Sequence, residues 1–251
     1  MKAITLNIRC FLYLILCILS KADIISKSFT MEPSLHNKVS NSNLISKHHS
    51  ESIPECSAIC GELCACFGFN PKLKKCHIHQ SCNPADITKD ETGWRYFSLD
   101  VTNLALGKAV FASSYLLNNT KGLQNVVDGR TRVTDFNLLF HTGFELYPWL
   151  TVILGGQSIV KSITLYNRND RDGEWLHDVE TRVGNSTDWT QMSTCGMFVG
   201  PSVTGGVHVI ECEKLLYGMF VTVKIVTPNN ITVNGTNWLV LEEVVIAGIV
   251  V

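Results

Sequence analysis

HTGFELYPWLTVILGGQSIVKSITLYNRNDRDGEWLHD, His141 to Asp178, is the stretch whose reading decides the fold. It holds two β-like runs, PWLTVILG and SIVKSITLYNR, rich in the β-branched and aromatic residues that fit a pleated, half-buried surface. A histidine precedes the first run and an arginine closes the second. Polar side chains at strand ends and in loops are where a β-sandwich keeps a binding site, because its sheets are occupied with burying their inner faces. Taken residue by residue, Arg168 and Asp170 also read as an ordinary surface ion pair, and His141 as a satisfied loop histidine.

Working outward, the chain from Leu104 onward repeats the same grammar. ITLYNR, TRVGN, HVIEC, YGMFVTVKIVT and WLVLEEVVIAG are short strand-like runs parted by Gly, Asn, Asp and Pro, with few helical candidates. Such spacing predicts an antiparallel sandwich or jelly roll, with Trp238 to Ile249 well inside a sheet.

Before Leu104 the composition differs. Lys2 and Arg9 lead an apolar run, Cys10 to Leu19, followed by Ser20-Lys21-Ala22, so residues 1–22 read as a signal peptide. The run is short for a membrane span and no second long apolar stretch follows, so no span is expected after its removal. Residues 23–51, rich in Ser, Asn, Lys and His, read as a flexible leader in which His48-His49 is an exposed pair. Eight of the ten cysteines lie beyond the signal, an even number suited to disulfides in an oxidising compartment. Sequons at Asn118, Asn185, Asn230 and Asn234 agree with a secreted glycoprotein. The formal charge is −1 and no block of lysine or arginine tracks phosphates, which argues against nucleic acid as a partner.

Six cysteines crowd between Cys56 and Cys82, the mark of a module too small to hold itself by its core alone. Zinc held by Cys64, Cys66, His77 and His79 is the competing reading. ECSAICGELC has room for one to two helical turns with Cys56 and Cys60 on one face, and CFGFNPKLKKCHIH reads as a hairpin turning at Asn70-Pro71. Cys56-x3-Cys60, Cys64-Ala-Cys66-Phe-Gly-Phe69 and Lys75-Cys76-His-Ile together resemble the PAN/apple family over about residues 52–98. The resemblance implies a small α+β fold in which Cys56 pairs with Cys76. It leaves Cys60 to either Cys64 or Cys66, and Cys82 to whichever remains.

NLALGKAVFASS, NVVDGR, FHTGFELYPWLTVILG, SITLYNRNDRDGEWLHDVETRVGN and WLVLEEVVIAG, in that order, resemble the F-type lectins, or fucolectins, a branch of the galactose-binding-like sandwiches. The match covers about residues 102–250 and implies a mainly β, jelly-roll sandwich that binds sugars without catalysis. The family holds fucose with a histidine, then Arg-x-Asp twenty-six residues on, then Arg or Lys after four more. Here His141 and Arg168-Asn-Asp170 fall into place and Trp175 stands where the last cation is expected. An indole offers one N–H and an apolar face in place of a guanidinium fork, a loss worth roughly 1 to 3 kcal/mol, with Arg171, Arg182 and His177 as substitutes within reach of the sequence. Two adjacent cysteines that the family places against the sugar are Arg171-Asp172, and a family disulfide is replaced by Leu139 and Glu242. The remaining family disulfide is implied for Cys195 and Cys212. The resemblance also implies a structural Ca2+ at Asn125, Asp128, Glu243 and the carbonyl of Arg130, with Leu138 in the place of a family serine.

The expected function is therefore a secreted protein that binds glycans or glycoproteins, with an altered or weakened fucose site. The alternative is an extracellular protein-interaction or adhesion protein whose sandwich has lost sugar binding. No G-x-S-x-G, H-E-x-x-H or P-loop occurs, so no enzyme is expected. Multivalency would favour an oligomer, though no heptads enforce one.

Overall fold

The computed structural model describes residues 28–41, 44–60, 64–80, 82–116, 122–229 and 233–251. The signal peptide and the sequons at Asn118 and Asn230 lie outside them, while Asn185 and Asn234 are exposed. Among the described residues no helix is long and apolar enough to cross a membrane.

Residues 28–99 form one disulfide-bonded module. Its sheet runs in the order β1 (Phe29–Met31), β7 (Arg95–Leu99), β4 (Cys66–Asn70), β5 (Lys75–His79), β3 (Leu44–His49), all antiparallel. The expectation of a flexible leader over 23–51 is corrected for its described residues, because β1 and β3 are both strands of this sheet. Their polar composition hides them: β3 is an edge strand whose residues are half-buried or exposed, so it lacks an apolar stripe. A short ribbon of β2 (Lys38–Val39) and β6 (Lys89–Asp90) lies apart from the five-stranded sheet.

Helix α1 (Ile53–Ile59) starts where Ser52 accepts a hydrogen bond from the Glu55 N–H, with a proline in its first turn. The hairpin turns where sequence places it, because Asn70 Oδ1 accepts from the N–H groups of Lys72 and Leu73. Phe67, Phe69 and Ile78 share a small core with Cys56 and Cys76, and Trp94 and Tyr96 anchor a second. Disulfides join Cys56 to Cys76, Cys60 to Cys64 and Cys66 to Cys82. Zinc held by thiolates is thereby excluded, since Cys64 and Cys66 are both oxidised.

Residues from β8 (Thr102–Asn103) to β15 (Val240–Val250) form the sandwich. The two runs of the opening stretch are one bent strand, β11 (Trp149–Asn167), and HVIEC with YGMFVTVKIVT likewise make one, β14 (Val207–Ile225). Residues 150–153 pair with β9 (Ala109–Ala112) on one side, and 149–153 pair with 220–224 of β14 on the other. Residues 158–167 pair instead with β15 and with 207–218 of β14. The strand passes from one layer to the other at the register break between them, where Gly155 takes φ +83°, a backbone conformation that costs glycine little. β12 (Val179–Gly184) and β13 (Ser193–Phe198) extend the first layer, and β10 (Phe140–His141) pairs with β15 in the second.

Leu150, Val152 and Val223 of one layer share a buried core with Ile163, Leu165, Val244 and Ile246 of the other. The Cys195–Cys212 disulfide ties β13 to the first half of β14. Ala65 and Leu99 of the N-terminal module pack with Ile159 and Leu215 of the sandwich, so the two units share an apolar contact.

Candidate functional site

The loop after β11 carries the site. Asn167 is buried and its amide donates to Gly173 O, Ser202 Oγ and Val203 O, pinning residues 168–178 onto the loop at 199–206. Gly173 sits so close that a β-carbon there would lie 2.1 Å from Thr204 N. This rigid turn delivers Arg168, Asp170 and Trp175 to one end of the sandwich, where His141 arrives from β10.

Arg168 is 1% exposed. Its Nε and Nη2 donate to the two carboxylate oxygens of Asp170, both at 2.8 Å, and the pairing holds the Asp170 carboxyl below the usual range. The guanidinium carbon lies 4.9 Å from the centre of the Trp175 ring, in cation–π range. Trp175 therefore packs against the first arginine instead of supplying a second one.

The sequence did not mark the rest of the site. Trp238, just before β15, packs against Trp175 in a tilted pair, ring centres 4.2 Å apart and planes 56° apart, and meets Phe144 edge-on at 4.2 Å. His141 lies 4.7 Å from Phe136 and 6.2 Å from Trp238 by ring centres. The one available signal was an indole at the head of WLVLEEVVIAG, directly at a strand end.

Several buried polar atoms here have no hydrogen-bond partner within the protein: both His141 ring nitrogens, Arg168 Nη1, Trp238 Nε1 and Glu242 Oε1. A buried donor left unpaired costs free energy, so such a cluster is the trace of a ligand or of water. The suggested substitutes do not fill the vacant fork. Arg182 bonds Glu180 and the Trp189 carbonyl, His177 bonds Asp178 and Asn237, and Arg171 is exposed beside Asp172.

Burial, and after it the Arg168 charge, lower the His141 imidazole to about 4, against a smaller opposing pull from Asp170. Burial, followed by His79 and Lys47, likewise lowers His77 to about 4. Each histidine protonates more readily in the unfolded chain, so its contribution is complete above about pH 6.5 and is lost as pH falls toward 4. We expect His77→Asn and His141→Asn each to flatten the acid side of the stability curve by on the order of 2 kcal/mol, relative to the parent protein, in urea unfolding at pH 7 and 4.5. Parallel curves for variant and parent would contradict this.

Near the start of β15, Glu243 meets the Asp128-Gly129 turn, Arg130 lies beside Asp128, and Asn125 closes the short helix just before that turn. Glu243 is fully buried, its Oε1 accepts from the Gly129 N–H, and its Oε2 has no partner. Burial, with Asp128 nearby adding to it, pushes its carboxyl up to about 7. A cation is the group that would satisfy the orphan oxygen and stabilise the charged form, so the residues fit calcium in kind. Among the described residues no three His, Cys, Asp or Glu side chains converge on a metal, so amide and carbonyl oxygens would have to supply the other ligands. Arg130 also approaches Asp128 at 3.7 Å and competes for it.

The sequence matches the family profile described as a NedA-like, galactose-binding domain over residues 125–223. No curated protein sequence matches the chain. Among solved structures it is similar to a fucolectin from the serum of Morone saxatilis, the striped bass, at 31% identity and TM-score 0.52, over 60% of this chain and 50% of that one. The chain thus spans about half of that lectin's length. It is also similar to a fucose-binding module of Streptococcus pneumoniae, at 21% identity and TM-score 0.44, over 58% of this chain and 96% of that one. The lectin domain of lectinolysin, solved with Lewis B antigen, gives 24% identity and TM-score 0.46, over 59% and 96%. The second unit of this chain is an antiparallel sandwich of the galactose-binding-like kind, with fucose-binding lectins among its structural neighbours.

Proposed function

We propose that this is a secreted, non-catalytic carbohydrate-binding protein of F-type lectin character, with a PAN/apple-like N-terminal module and a sugar site that departs from ordinary fucose recognition. The observation that carries the reading is the set of unpartnered N–H groups of Arg168, His141 and Trp238 beside the tilted Trp175–Trp238 pair. Directed donors beside an aromatic face are what a sugar ring needs, its hydroxyls taking the hydrogen bonds and its C–H face taking the indole. Asp170 is committed to Arg168, which suits a binding site better than a pair of acid and base carboxylates. Asn125, Asp128, Glu243 and the Arg130 carbonyl would hold a structural calcium that steadies the neighbouring loops.

A glycan array with and without chelator tests this. Binding to one glycan class is expected, lost in His141→Ala/Arg168→Ala, and weakened by chelator. Trp175→Arg, which leaves the buried pair in place, is expected to raise fucose affinity roughly tenfold or more. No glycan binding, or binding indifferent to both changes, would overturn the reading. A second reading, a protein-interaction surface, is favoured by Phe144 at 54% exposed with Leu146 and Tyr147 beside it in sequence, also exposed. It predicts captured partners that free fucose does not displace.

A further inference from the structure

The N-terminal module contains a second concave site, unconnected with the sandwich loops. A cavity of about 660 Å³ opens beside the β2–β6 ribbon and the outer strands β5 and β3, a size in the range that holds a small ligand. Register places Lys47 opposite His77 and His49 opposite Lys75, so alternate residues of the two strands put the Lys47 and Lys75 cations diagonally across one face. Lys89 reaches the cavity from the ribbon and Lys74 from the hairpin turn.

Two acids, Asp86 and Glu91, also line it, so the question is which sign dominates. Glu91 accepts from Trp94 Nε1 at 2.9 Å, and Lys74 is paired with Glu51 at 2.7 Å. Lys47 donates only to the neutral Asn41 side chain, and among the described residues neither Lys47, Lys75 nor Lys89 forms a salt bridge. After burial and His79, Lys47 and Lys75 disfavour the protonated form of His77, and Glu91 opposes them less. Ser40, Asn41 and Thr88 add hydroxyl and amide groups to the wall, while Trp94 is 1% exposed and offers no stacking face. A peptide would need apolar pockets for alternate side chains, and the wall offers few. Dispersed lysine point charges with hydroxyl partners suit sulfate or carboxylate groups spaced along a hydrophilic ligand.

We infer that the cleft between β3, β5 and the β2–β6 ribbon binds an acidic oligosaccharide, its sulfate or uronate groups taken by Lys47, Lys75 and Lys89. The test is calorimetric titration of the full chain with a sulfated heparin hexasaccharide. Its desulfated counterpart, inorganic sulfate and poly-L-glutamate are run alongside. Saturable binding of the hexasaccharide is expected, weaker in higher salt. Lys75→Ala/Lys89→Ala, at exposed positions that leave the fold intact, is expected to lower affinity about tenfold, and Lys47→Ala to lower it further. His141→Ala/Arg168→Ala is expected to leave this binding unchanged. No binding, equal binding after desulfation, equal binding by the lysine variants, or preference for poly-L-glutamate would each overturn the inference. Loss only in His141→Ala/Arg168→Ala would place the ligand in the sandwich and overturn it as well.

Discussion

Cys56→Ala/Cys76→Ala is expected to cost the N-terminal module about 3 kcal/mol and to open residues 28–99 to protease while 102–250 persists as a resistant fragment. Both cysteines are fully buried, and the bond spans 20 residues, from the middle of α1 to the start of β5. Removing it frees the denatured chain to sample a loop that it now holds closed, which is where most of the stabilisation is thought to arise. The module has little else to compensate, since its apolar contacts are divided between two small clusters. Cys60→Ala/Cys64→Ala, with a separation of 4, should cost less by the same reasoning. Urea unfolding followed by limited proteolysis reads both. A fragment pattern unchanged in the first variant would show that the clusters suffice without the bond.

Asp170→Ala is expected to destabilise the sandwich by roughly 3 kcal/mol, because it leaves the Arg168 guanidinium buried without its counter-charge. Arginine cannot escape by losing its proton, so the cost falls on the fold. The Trp175 face beside it offsets only part of the loss. Replacing both members, Arg168→Met with Asp170→Ala, should recover much of the stability, since an apolar pair of similar volume has no charge to desolvate. The double-mutant cycle in urea separates the two effects. If Asp170→Ala behaves like a neutral surface change, the pair is held for binding geometry alone.

Strand-forming runs in the sandwich were legible because their evidence is local. Alternating β-branched and aromatic residues mark ITLYNR or WLVLEEVVIAG as strands wherever they stand, and even cysteine numbers mark a disulfide framework. What misled was equally local: β1 and β3 are short and polar, so they read as leader. Their place is fixed by hydrogen bonds to β7 and β5, which no window of sequence contains. The two runs of the opening stretch were separable by eye, yet their continuity through Gly155 depends on partners in two different layers.

The same division runs through the sites. By itself the sequence determined that His141, Arg168 and Asp170 are polar groups at strand ends, while the expectation of a cation at Trp175 came only from the lectin resemblance. Only the tertiary structure decided that Trp175 covers Arg168, that Trp238 and Phe144 close around it, and that Arg168 is buried. Lys47, Lys75 and Lys89 look unremarkable along the chain and become a cationic cleft only when strand register and the ribbon gather them. Periodicity reports how a segment meets water, a property of neighbours in sequence. Convergence of distant side chains depends on register and topology, which are settled by long-range pairing.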